Sequence, residues 1–208
     1  MLPANKRIRT RAQLKDWLSV ELAPYEHLGP MQDLLNLLNA NQGAILRRHM
    51  ILLRTTEYHI NAGHRLRALL WKQRLRRLQN RYELHVAVNC CGRGLRIMHL
   101  GPILMNGHVT VGENCSFHFN TGVVAGGTDD GVPTLGDNVI VGFGAVILGG
   151  VHLADGIAVG ANAVVNKDFL QPNITIAGAP ARKISDHGTE RWNKGVRDRV
   201  AAPGSESL

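Results

Sequence analysis

The stretch LGDNVIVGFGAVILGGVHLADGIAVGANAVV, from Leu135 to Val165, repeats itself every six residues. Its aliphatic beats are Leu135, Val141, Ile147, Leu153, Val159 and Val165, and four positions after each comes a small or β-branched residue, as in Val139, Ala145, Val151, Ile157 and Ala163. Glycine often stands directly after the beat, as in Val141-Gly142 and Val159-Gly160, where a backbone corner would need it. A period of six marks a parallel β-helix: each hexapeptide forms one short face, and three make a coil. Stacked coils then bury the aliphatic column.

Upstream the same count runs back through Val123, Phe117, Val111 and Met105, with Val109, Cys115, Thr121 and Gly127 in the second register. One step fails. Val123 and Leu135 are twelve apart, so Asp129-Asp130-Gly131-Val132-Pro133-Thr134 reads as an external loop starting near Gly126-Gly127. Loops that leave a rigid scaffold commonly carry binding residues. Counting back six from Met105 lands on His99, which puts a titratable ring where the repeat asks for an aliphatic side chain. Histidine is the natural base near neutral pH.

Before Tyr82 the periodicity is helical. Leu14, Trp17, Leu18 and Leu22 recur at three and four residue spacing, as do Leu34, Leu35 and Leu38, and Pro24, Gly29 and Pro30 separate the two segments. A third helix is expected from about Gln42 to Ile60, and a fourth from His64 to Tyr82. The expected organisation is an α-helical N-terminal region at 1–82, a β-helix domain at 83–184 and a polar C-terminal tail at 185–208.

Residues 1–82 carry 15 Lys and Arg against 5 Asp and Glu, whereas 83–180 carry 3 against 7, so the net charge of +8 belongs to the helical part. The run of Arg65, Arg67, Lys72, Arg74, Arg76, Arg77 and Arg81 fits an anionic surface. Weak contact of this helix with a membrane surface is one expectation, and no motif speaks for nucleic acid. No apolar run approaches the roughly 20 residues of a membrane span, and MLPANKRIRT leads into no signal-peptide stretch; the expected location is cytoplasmic. Cys90, Cys91 and Cys115 are odd in number and lack C-x-x-C spacing, so they read as reduced thiols and no metal site is expected.

Taken together, Gly94-Leu95-Arg96-Ile97-Met98-His99, Val123-Val124-Ala125-Gly126-Gly127-Thr128, the run from Val159 to Asp168 and Ile176-Ala177-Gly178-Ala179-Pro180-Ala181-Arg182 resemble the hexapeptide-repeat acyltransferases, most closely their serine acetyltransferase-like branch. The resemblance implies a left-handed coil, homotrimers or paired trimers forming hexamers, and acetyl-CoA lying in a groove between neighbouring β-helices. It matches His99 to the catalytic base. It matches Phe143, Gly144, Ala161, Asn166, Lys167 and Arg182 to the coenzyme contacts, where small residues admit the pantetheine arm and the cations meet phosphates.

Acyl transfer to a hydroxyl needs a base for its proton and donors for the oxyanion. His118, His108, His85 and His152 are weaker candidates for the base than His99. In serine acetyltransferases proper an aspartate upstream is paired with the base; the corresponding position here is Leu84, beside Glu83. Their external loop carries Asp-Arg-His-Pro, where this chain has Asp130-Gly131-Val132-Pro133. Their isoleucine tail is replaced by Ser205-Glu206-Ser207-Leu208. These departures turn the expectation toward a sugar hydroxyl, in a surface polysaccharide or its precursor, with Asp129 and Asp130 binding the acceptor. L-Serine is the alternative, and N-acetylation of an amino sugar and a non-catalytic β-helix scaffold stand beside it.

Overall fold

The computed structural model describes residues 1–25, 29–127 and 131–190. Four helices come first, each begun by local chemistry. In α1 (Arg11–Glu21) the Thr10 hydroxyl accepts from the Gln13 N–H at 3.2 Å while the Gln13 side chain accepts from the Thr10 N–H at 3.0 Å, a reciprocal capping box. Proline opens α2 (Pro30–Leu38), where a missing N–H costs nothing. The Asn41 side chain caps α3 (Gln42–Asn61) by accepting from the Ala44 N–H at 3.1 Å. Finally α4 (Arg65–Tyr82) stops at Glu83, which takes the left-handed conformation at φ 57°. The central helix α3 buries Ile45, Leu46, Met50 and Leu53, whereas α4 buries only Leu75 and Leu78. Leu34, Leu38 and Leu66 are exposed, so the apolar spacing that locates these helices does not tell which of its leucines are covered.

From Leu84 onward the chain winds through three parallel faces. The first holds Leu84–His85, Ile103–Met105, Thr121–Val124, Val146–Leu148 and Val164–Val165. The second holds Thr110–Val111, Thr134–Leu135 and His152–Leu153, extended by single bridges at Cys91 and Phe169. The third holds Arg96–Ile97, Ser116–Phe117, Ile140–Val141, Ala158–Val159 and Thr175–Ala177, and Arg182–Ser185 folds back antiparallel along its outer edge. Partners such as Ile140 and Ala158, or Val146 and Val164, lie one coil of eighteen residues apart. The beats from Met105 to Val165 and their second-register companions from Val109 to Ala163 form a continuous buried column, except at Gly127. That residue is exposed at φ 78° and leaves the coil.

Upstream of Met105 the period slips. Ile97 pairs with Phe117, twenty positions on, so Ile97 and not His99 holds the beat. The corner between Ile97 and Met105 is longer by two residues and contains Gly101 and Pro102. His99 stands on this enlarged corner, exposed, so the count that led to it was out of step.

The helices are clamped to the first coil by Arg54, a fully buried guanidinium. It donates to both Glu21 carboxylate oxygens at 2.9 and 2.8 Å, to Glu57 at 2.8 Å, and to the carbonyls of Cys91 and Gly92 at 3.0 and 2.8 Å. Glu21 in turn accepts the N–H groups of Gly94 and Leu95, and Glu57 that of Asn89. Every charged oxygen in this buried cluster thus has a partner, the condition under which such a cluster is tolerated. The three cysteines are buried and unpaired, and burial pushes the thiols of Cys90 and Cys115 up to about 11 and about 12. Among the described residues no helix is long and apolar enough to cross a membrane.

Candidate active site

After each strand of the third face the chain turns into the first, and these corners stack. The register of Ile97, Phe117, Val141 and Val159 brings His99, Phe119, Phe143 and Ala161 into one column along the corner. The His99 ring meets Phe119 edge-on at 6.2 Å between centroids, and Phe119 meets Phe143 at 4.8 Å. Phe143 keeps 38% of its surface exposed, enough to offer a ring to a ligand. Gly144, at φ 70°, permits the close stacking: a Cβ there would sit 2.1 Å from Oδ1 of Asn162 in the next coil. Below the column, Ala177 stacks against Gly160, and Ala177 pairs with Arg182, whose side chain is exposed.

His99 also has a partner from the helical region. Nε2 of Gln42, the first residue of α3, lies 3.4 Å from His99 Nδ1. Gln42 Oε1 accepts the Leu100 N–H at 3.1 Å, which turns the amide nitrogen toward the ring. Among the described residues no carboxylate takes this place. Leu84 is wholly buried in the first strand, and the exposed Glu83 caps α4, its carbonyl accepting from the Ile103 N–H. The sequence carries no signal for Gln42, because nothing in a local pattern links a helix start to a corner 57 positions away.

His118 is the other histidine at this corner, its ring centroid 5.8 Å from that of His99. It is held below the usual histidine range, by burial first and then by the charges of His99 and Arg96. His108, His85 and His152 stand elsewhere: His85 in the first strand, His108 exposed on another corner, and His152 exposed beside Asp168 at 3.7 Å. Next to Met98 and Gln42 a polar cavity of about 210 Å³ opens between the helices and the first coil, lined also by Arg96, Asn36 and Asn41.

The coenzyme positions divide. Phe143, Gly144 and Ala161 share the column headed by His99, and Arg182 lies along the neighbouring sheet edge. Asn166 and Lys167 lie on a different corner, after the first face, with Lys167 Nζ 5.5 Å above the Phe169 ring. One copy of the chain does not bring all six together. Asp129 and Asp130 lie outside the described residues, as does most of the polar tail, 191–208. Among the described residues no cluster of His, Cys, Asp or Glu is arranged to hold a metal. An exposed imidazole, an aromatic ledge and a small polar cavity suit proton removal from a hydroxyl beside an acyl donor.

No family model matches the chain. The serine acetyltransferase of Synechococcus elongatus is 31% identical over 162 residues, 69% of this chain and 62% of that protein. That of Helicobacter pylori strain J99 is 36% identical over 107 residues, 50% of this chain and 60% of that one. The chain thus spans less than two thirds of the length of these curated relatives. Among solved structures, the serine acetyltransferase of Brucella abortus strain S19 superposes with a TM-score of 0.63 at 20% identity, over 86% of this chain and 71% of that one. The soybean serine acetyltransferase complexed with serine gives 0.62 at 22%, over 87% and 80%. The fold is the left-handed parallel β-helix behind an N-terminal helical region that the resemblance implied.

Proposed function

Because this chain is similar in fold and in sequence to the serine acetyltransferase-like branch of the hexapeptide-repeat acyltransferases, we propose that it transfers an acetyl group from acetyl-CoA to a hydroxyl, and that the acceptor is L-serine. The observation that carries this reading is His99, exposed at the head of a column of Phe119, Phe143 and Ala161. The sugar acceptor expected from the altered loop finds no support. The relatives named are serine acetyltransferases, and the aspartates on which the sugar reading rested lie outside the described residues.

In this reading the neutral imidazole of His99 takes the proton of the serine hydroxyl as its oxygen attacks the thioester carbonyl. The tetrahedral intermediate collapses, the carbon–sulfur bond breaks, and the imidazolium returns its proton to the departing thiolate. The 3.4 Å contact from Gln42 is long for a hydrogen bond and holds the ring weakly. A hydroxyl donating to Nε2 leaves the ring proton on Nδ1, and Gln42 Oε1, which already accepts the Leu100 N–H, then has to shift to accept this proton as well. The cavity beside Gln42 suits a small amino acid, with the Arg96 guanidinium opposite its carboxylate.

For the coenzyme, the exposed ring of Phe143 and the small residues at 144 and 161 form a ledge for the pantetheine arm, with Arg182 at its end for a phosphate. The separate corner of Asn166 and Lys167 is explained by a homotrimer, in which one copy's corner closes the groove of the next. The test is release of free thiol from acetyl-CoA with L-serine, simple sugars, amino sugars and oligosaccharides as acceptors. Saturable release with L-serine alone is expected. Faster release with a saccharide overturns the serine reading, and release with none of them favours a scaffold.

A further inference from the structure

Away from the corner column, α1, α3 and α4 enclose an open groove of about 610 Å³. Arg11 and Lys15 reach it from α1 and Arg67 from α4. Among the described residues no carboxylate lines it, and none of these three cations forms an ion pair. Leu14, Leu18 and Trp71 give it an apolar wall, and the His59 ring stacks on Trp71 at 6.2 Å.

His59 is itself unusual. Its Nδ1 lies 3.1 Å from Nδ1 of His64, so one ring must donate and the other accept, and the pair cannot hold two protons along that line. Burial, and then the charges of His64, Arg67 and Arg11, keep His59 below the ordinary histidine range. The charged groups facing it are thus all cationic: Arg11 and Lys15 on α1, and His64 and Arg67 at the start of α4. Positive charge without a counter-charge, beside a flat apolar wall, is a place for an anion with an apolar body.

We propose that this groove binds a small phosphate monoester carrying a flat apolar group, its phosphate held by Arg11, Lys15 and Arg67 and its body against Trp71, Leu14 and Leu18. The dianionic head answers the cluster of cations, and the wall selects against inorganic phosphate.

The full chain is titrated with phenyl phosphate, inorganic phosphate and phenol, following the imidazole NMR signals of His59 and His64. Phenyl phosphate is expected to saturate below about 1 mM, inorganic phosphate to bind about tenfold more weakly, and phenol to move nothing. By linkage the bound dianion favours the charged ring, so His59 should titrate at a higher pH in the complex than in the free protein. Arg11→Ala combined with Lys15→Ala, both exposed positions, should weaken phenyl phosphate about tenfold or more and leave thiol release unchanged. Signals unmoved by phenyl phosphate at about 10 mM, or a double variant that binds as tightly as the parent, overturn the site. Equal binding of inorganic phosphate overturns the apolar body.

Discussion

Gln42 and His99, 57 positions apart in the chain, meet with 3.4 Å between the amide nitrogen and ring Nδ1, and the amide's oxygen is already occupied by the Leu100 N–H. An amide in this place offers the charged imidazole no counter-charge, as a carboxylate would. Gln42→Glu supplies one. The acidic limb of the kcat/KM profile for thiol release should then move to higher pH by about one unit, with Gln42→Ala leaving it in place and lowering kcat by less than about tenfold. Identical profiles for both variants would remove Gln42 from the proton's path.

His99→Ala should lower kcat by about 100-fold or more, the usual scale for losing a general base, and leave folding intact because the ring is exposed on a corner. His118→Ala should cost less than about tenfold, since its ring lies tilted beside the base, 5.8 Å between centroids. The reverse order in steady-state kinetics would make His118 the base.

The division of the coenzyme positions separates two cations that one motif reading would group. Arg182→Ala should raise KM for acetyl-CoA about tenfold with kcat within about twofold, the pattern of a phosphate contact remote from the reacting bond. If Lys167 serves a neighbouring copy, Lys167→Ala should raise KM only in assembled protein. Calorimetry on each variant, beside its mass in solution, measures both effects; unchanged affinity in Arg182→Ala would place the groove elsewhere.

His49 is wholly buried on α3, and burial drives its ring down to about 4. Its ring nitrogens complete no hydrogen bond, although the Leu84 backbone lies near. Its folded value lies below the unfolded 6.5, so the folded protein resists a proton that the unfolded chain takes up. Stability is unaffected above about pH 6.5 and falls as pH drops from there toward 4, by up to about 3 kcal/mol. Urea midpoints should show this loss in the parent and a flatter dependence in His49→Met. Parallel curves for the two proteins would assign the acid loss to other groups.

Arg54→Met leaves Glu21 and Glu57 buried without their cation, which should cost about 3–5 kcal/mol. Trp17 lies 4.7 Å from the guanidinium, so its fluorescence reports the loosening directly. A loss under about 1 kcal/mol would show that the helices are held to the first coil by apolar contact alone.

The coils were legible because their physics is periodic: each beat must fill the same slot, so Leu135 to Val165 announce it without reference to anything distant. The count failed at Ile97, where a corner gained two residues and the next residues still looked acceptable in the wrong register. The repeat does not place His99, since Ile97 fills the slot; the motif around His99 is what marks it. The side of each helix that is covered was not legible, since Leu66, Leu69 and Leu70 repeat as regularly as Leu75 and Leu78 but remain exposed. Contacts such as Gln42 with His99, or Arg54 with Glu21, are made by the docking of helices onto a coil, and no spacing along the chain encodes that.

The strand Arg182–Ser185 runs antiparallel to Thr175–Ala177, whereas every other pairing in its sheet is parallel. A column of parallel coils ends in a row of open backbone groups onto which another column could grow. A reversed strand with exposed Arg182, Lys183 and Ile184 offers the wrong direction and the wrong charge for that growth. At the opposite end the Arg54 cluster seats the helices on the first coil. Among the described residues the third face is thereby edged by a reversed strand at one end and the first coil is covered by helices at the other, and both oppose continuation of a repeat that has no stop of its own.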